Sequence, residues 1–153
     1  MHMELIKENL QKKRQTWKLD DCYRKIWLFE DLYWQEQHIE LLNKVVPNYV
    51  KSFGNHQGKM WIDFEIIPGV PASTFIHTDD FIKRIYDFCI KNIEETSPYA
   101  HGDWVLSNIL IDENTIRMCD WDNLNIYPKE DKIVKLKLDL RSAFGKQFDK
   151  VIL

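Results

Sequence analysis

Between His101 and Asn123 the sequence reads HGDWVLSNILIDENTIRMCDWDN, and no other stretch restricts the fold as strongly. Polar groups at Asp103, Asn108, Asp120 and Asp122 are set around two apolar runs, Ile109-Leu-Ile and Ile116-Arg-Met-Cys. A carboxylate beside a buried strand needs a partner or a task, because desolvating a lone charge is costly. The turn-forming residues Asp112-Glu-Asn-Thr115 separate the two runs and predict a hairpin. Its return brings Asp120 near Asn108, while the loop before it presents Asp103. An amide and a carboxylate there offer hard oxygen ligands with open positions between them. Magnesium takes such ligands and keeps room for water and substrate phosphates. Asp103, next to that site, is placed to accept a proton from an attacking hydroxyl.

The chain has 153 residues, enough for one domain with a real core. Apolar content of 44% against 29% charged residues describes an ordinary globular protein. A net charge of -3 gives no electrostatic case for nucleic acid as a partner. The three cysteines, Cys22, Cys89 and Cys119, are widely spaced and form no CxxC pair. This argues for a reducing, cytoplasmic setting and against a disulfide framework or a zinc site. No apolar run approaches the roughly 20 residues of a membrane span, and the polar N-terminus does not read as a signal peptide.

Along the chain, residues 4–29 read as short strands, with a hairpin over 15–29 around Asp20-Asp21. Residues 30–45 predict a helix, because Leu32, Ile39, Leu42 and Val46 recur at helical spacing and Pro47 stops it. Tyr49–Phe53 and Met60–Ile67 predict two strands around Gly54-Asn-His-Gln-Gly58. Pro68-Gly-Val-Pro71 is a sharp break, read as a hinge between a lobe over 1–67 and a lobe over 72–153. A second helix is predicted from Thr78, its N-cap, to about Glu95, with Ile82, Ile85, Cys89 and Ile93 as the buried stripe. A last helix covers roughly 132–144.

The spacing His-Gly-Asp-x-x-x-x-Asn, followed about twelve residues later by Asp-Trp-Asp, resembles the protein-kinase-like superfamily. It is most similar to the small-molecule branch: aminoglycoside phosphotransferases, choline kinases and lipopolysaccharide kinases. The resemblance implies an α+β, two-lobed fold with a reduced N-terminal sheet lobe and a truncated helical C-terminal lobe. It implies ATP and Mg2+, with Asp103 as catalytic base, His101 as the prop of the catalytic loop, and Asn108 and Asp120 as metal ligands. Asp63-Phe-Glu-Ile-Ile-Pro-Gly69 resembles the strand-to-hinge segment whose backbone meets adenine, so Glu65 and Ile67 are implied nucleotide contacts. Lys25 resembles the lysine that binds the α/β-phosphates, with Arg24 as the alternative on the opposite strand face. Glu36, or else Glu40, resembles the helix glutamate that pairs with that lysine. Asp139 resembles the acid that anchors the catalytic loop from a later helix.

The sequence departs from the family pattern in four places, one of them the metal motif, which reads Asp120-Trp-Asp122 and not Asp-Phe-Gly. The glycine-rich loop is missing, and Lys12, Lys13 and Arg14 stand at its turn. Val105 occupies a position usually polar or basic. About 30 residues follow Asn123, where relatives build an acceptor pocket. Trp104 and Trp121 adjoin the implied functional residues as candidate walls of the site. The expected activity is transfer of the γ-phosphoryl group of ATP to a hydroxyl of a small molecule or sugar, with a homodimer as one way to complete the acceptor site. The alternative is a pseudokinase that binds nucleotide or a protein partner without transfer.

Overall fold

Two acidic residues at Asp20-Asp21 and a Gln57-Gly58 turn punctuate strands rich in aromatic and β-branched residues, and the N-terminal part folds accordingly into antiparallel hairpins. The structure, a computed structural model, describes residues 2–28 and 32–153, of which 32, 33 and 129 are described through their backbone alone. The chain divides into two compact units between Ile66 and Ile67.

The first unit contains β1 (Glu4–Asn9), β2 (Arg14–Lys18), β3 (Cys22–Trp27), α1 (Leu32–Val45), β4 (Val50–His56) and β5 (Lys59–Glu65). The strands form one antiparallel sheet in the order β1-β2-β3-β5-β4. The predicted loop at Gly54–Gly58 is shorter than expected. Gly54, Asn55 and His56 continue β4, and the turn is Gln57-Gly58 alone, with left-handed φ of 52° and 76°. Two successive residues in that region match the right-handed twist of the flanking strands. The side chain of Asn55 accepts the Gly58 N–H at 3.0 Å and fixes the turn.

One face of this sheet is lined by Lys25, Trp27, Met60, Ile62 and Phe64, all buried. Helix α1 belongs to this face: Trp34 and His38 contact Trp27, and Gln35 accepts a hydrogen bond from Asn55 at 3.1 Å. The expected start of this helix at residue 30 lies outside the described residues, as does the side chain of Leu32. The inward stripe of α1 is Gln35, His38 and Leu42, at helical spacing but partly polar. His38 earns its place by stacking on Trp34 at 4.7 Å and 12°.

The second unit contains β6 (Val70–Pro71), α2 (Asp79–Thr96), β7 (Tyr99–Ala100), β8 (Ile109–Asp112), β9 (Thr115–Met118), β10 (Asn125–Ile126), α3 (Lys129–Phe144) and α4 (Lys146–Ile152). Val70 and Pro71, within the segment read as a hinge, pair with Ile111 and Leu110 of β8 and so extend the 109–118 hairpin to three strands. Thr78 caps α2 by accepting the Phe81 N–H at 3.1 Å, and Ile82, Ile85, Cys89 and Ile93 are its buried residues. Leu136, Leu140 and Phe144 bring α3 into the same core. Helix α4 was not expected from sequence. Gly145 takes a left-handed φ of 66°, which ends α3 and lets the chain start again. Phe148 then buries completely and meets Tyr86 edge-on at 6.0 Å. No described helix is long and apolar enough to cross a membrane.

Candidate active site

His101 is fully buried and bonded at both ring nitrogens. Its Nε2–H donates to the Cys119 carbonyl at 2.7 Å, and its Nδ1 accepts the backbone N–H of Asp103 at 3.2 Å. That pattern requires the neutral ring with the proton on Nε2. Burial pushes the pKa of the imidazole below its ordinary value, and the Cys119 carbonyl and the carboxylates of Asp120, Asp103 and Asp122 offset this only in part. Trp121 meets the ring at 4.6 Å and Trp104 lies 6.5 Å away. Both tryptophans are buried, so they pack around His101 rather than forming exposed walls.

The loop from His101 to Asn108 is held from several sides. The side-chain amide of Asn108 donates to the carboxylate of Asp103 at 3.1 Å and to its backbone carbonyl at 3.2 Å. The N–H of Trp104 donates to Asp139 Oδ2 on α3 at 3.0 Å, and Lys135 pairs with the other oxygen of that carboxylate. The Cys119 N–H donates to the Asn108 carbonyl at 2.8 Å. Both backbone groups of Cys119 are therefore tied to the loop, one through His101 and one through Asn108. Asp120 follows directly, in a left-handed conformation at φ 58°. That conformation costs a residue with a Cβ about 1–2 kcal/mol, and it is kept because the chain on its N-terminal side is held on both sides.

Gly102 also has a left-handed φ, 84°. A Cβ there would stand 2.6 Å from the Tyr127 hydroxyl and 2.9 Å from the Asn123 carbonyl. The hydroxyl of Tyr127 donates to that same carbonyl at 2.9 Å. Tyr127 was not singled out by sequence reasoning. Its position depends on the pairing of β10 with β7, which no local pattern announces.

A magnesium ion requires oxygen ligands with room left over. The donor set fits. With the Asn108 nitrogen committed to Asp103, its Oδ1 is the atom left for a cation, and Asp120 would supply a carboxylate. Among the described residues no group of three or more His, Cys, Asp or Glu side chains forms a protein-only metal cage, so the remaining ligands would be water and substrate.

In the first unit, Lys25 is buried beside the Phe64 ring, 5.5 Å from its centroid. Arg24, the alternative, faces the other way. Its Nε and Nη2 donate to both Asp63 oxygens at 2.7 and 2.9 Å, and its guanidinium lies 4.4 Å over Trp61. Glu36 is the residue read as the partner of that lysine. It lies on the exposed side of α1, as does Glu40, because Gln35 and His38 take the inward stripe. Arg14 is buried in β2, whereas Lys12 and Lys13 are exposed in the turn before it. Glu65 ends β5 with an exposed side chain and donates its N–H to the Tyr49 carbonyl at 2.9 Å, while Ile67 is half-buried in the extended segment that follows.

No family model and no curated protein matches the chain. Solved structures do match. The 2.2 Å crystal structure of WbdD aligns with a TM-score of 0.66 at 14% identity, over 93% of this chain and 37% of that one. The Cydia pomonella granulovirus kinase PK-1 aligns with a TM-score of 0.61 at 14% identity, over 92% of this chain and 70% of that one. The fold is protein-kinase-like. WbdD is described as a bifunctional kinase-methyltransferase, and the present chain spans little more than a third of its length. Neither likeness singles out the small-molecule branch. Within the kinase-like fold, β3 carries Lys25, α1 follows it, and the 101–120 segment supplies the loop and hairpin described above.

Proposed function

We propose that this chain is an ATP- and magnesium-dependent phosphotransferase acting on a hydroxyl of a small molecule or sugar. The observation that carries the reading is the pair Asp103–Asn108. A carboxylate is oriented by the amide of the one residue whose remaining oxygen suits a hard cation. In the proposed reaction the Asp103 carboxylate accepts the proton of the acceptor hydroxyl as its oxygen bonds to the γ-phosphorus. The bond from that phosphorus to the bridging oxygen breaks, and ADP leaves with the electron pair. Asn108 and Asp120 would hold magnesium, which neutralises charge on the phosphates. Lys25 would bind the α/β-phosphates, and the backbone at Glu65 and Ile67 would meet adenine. Positioning and charge neutralisation supply most of the rate in such a site.

Two observations favour the second reading, a pseudokinase. The turn between β1 and β2 contains no glycine, and Glu36 does not face inward. Calorimetric titration with ATP, with magnesium and then with EDTA, on wild type and Asp120→Asn, tests nucleotide and metal together. Binding that needs magnesium and weakens at least tenfold in the variant supports the enzyme. Absence of binding in every condition removes it and leaves a protein-binding module.

A further inference from the structure

The sheet of the first unit has a second face, opposite Lys25 and α1. Strand alternation puts Gln15, Arg24, Ile26, Leu28 and Trp61 on it. These residues, with His56, Gln57 and Lys59, line a cavity of about 490 Å³. The volume lies in the range of small-molecule sites. Nothing in the proposed phosphotransfer uses this face.

The cavity is built in layers. Gly54 lies directly across from Trp61 in the β4–β5 ladder. A Cβ at Gly54 would come within 2.6 Å of the indole Cζ2, so the missing side chain is what lets the ring lie against β4. The Arg24 guanidinium stacks on the same indole at 4.4 Å and is clamped edge-on by Asp63, which also accepts the Ser52 hydroxyl at 3.1 Å. Asp63 takes Nε and Nη2, which leaves the Nη1 hydrogens of Arg24 uncommitted among the described residues. The lining holds two permanent cations, Arg24 and Lys59, together with His56 and no carboxylate. Ile26, Leu28 and the Trp61 ring provide apolar wall. A planar guanidinium already stacked on an indole can stack on a second ring while donating to an anion.

We propose that this outer-face cavity is a binding site for a small aryl anion, a flat aromatic body bearing a phosphate or carboxylate. The ring lies against the Arg24–Trp61 stack, and the anion meets Arg24 Nη1 and Lys59 Nζ. The site is independent of the phosphotransfer reading, since its residues point away from Lys25.

The test is titration of the whole chain with phenyl phosphate, followed by amide and indole signals in two-dimensional NMR, with inorganic phosphate titrated separately. Saturable shifts centred on Trp61, Ile26 and Lys59 are expected, with far weaker binding of inorganic phosphate. Lys59→Glu, at an exposed position, should weaken phenyl phosphate binding about tenfold. Gly54→Ala should also abolish saturation by displacing the indole, although every cation remains. A thermal melt checks that each variant is folded, and if Gly54→Ala is not, Lys59→Glu decides. Saturation mapping to Lys25 or to the second unit overturns the proposal. So does a Lys59→Glu variant that binds like wild type, or no saturation at millimolar concentration.

Discussion

His101 reaches across to the carbonyl of Cys119 at 2.7 Å, and Cys119 is the residue before Asp120. One buried side chain thus joins the loop that carries Asp103 to the strand end that carries the second acid. Removing it loses two hydrogen bonds and leaves a void in a fully buried position. His101→Ala should cost about 3–5 kcal/mol in urea unfolding, and Asp120 should lose its fixed aim with it.

The same histidine makes stability depend on pH. Burial holds its folded pKa below the ordinary value of 6.5, so the unfolded chain binds the proton more tightly. By linkage, this contribution is complete above about pH 6.5 and is lost as pH falls from there toward the folded value, with a slope of up to about 1.4 kcal/mol per pH unit. Urea unfolding between about pH 7.5 and 5 should show the decline, and folded His101→Gln should flatten it. An equal slope in both proteins would rule out His101 as its source.

Asp103→Asn keeps an oxygen for the Asn108 amide but cannot take a proton. Transfer should fall about 10²–10⁴-fold, while ATP affinity measured by calorimetry stays within about twofold, well under the tenfold that 1.4 kcal/mol represents. Unchanged turnover in this variant would remove Asp103 from the chemistry.

Gly102→Ala meets three separate costs, a left-handed φ of 84°, a Cβ 2.6 Å from the Tyr127 hydroxyl and the same Cβ 2.9 Å from the Asn123 carbonyl. The conformational part alone is about 1–2 kcal/mol. Adding Tyr127→Phe removes the hydroxyl clash but neither the φ cost nor the approach to the Asn123 carbonyl. The double variant should therefore melt above Gly102→Ala and below wild type. Additive losses, with no partial rescue, would show that the two residues do not meet.

Phe148 anchors α4 with no exposed surface. Phe148→Ala should cost about 3–5 kcal/mol, measured by denaturant unfolding. A loss below about 1 kcal/mol, the range of surface substitutions, would mean that α4 is not docked on α2 and α3.

The parts legible in sequence are those with a strong local signal. The α2 stripe at Ile82, Ile85, Cys89 and Ile93 repeats at helical spacing and is buried as read. The 109–118 hairpin follows from two apolar runs about a polar turn. Helix α1 is legible as a helix, but its inward stripe is partly polar and does not show as an apolar repeat. Gln35 and His38 count as surface residues in any apolar pattern, yet contact with Trp27 and a bond from Asn55 hold them inward and leave Glu36 outside.

By itself, then, the sequence determined which polar residues gather in the second unit, because the His101–Asn123 spacing and the hairpin turn are local and short. Only tertiary structure decided that Arg24 is committed to Asp63 while Lys25 faces the helix, that Tyr127 covers Gly102, and that α4 exists. Each of these depends on partners distant in the chain, and local propensity carries no information about contacts whose energy comes from residues far away in sequence.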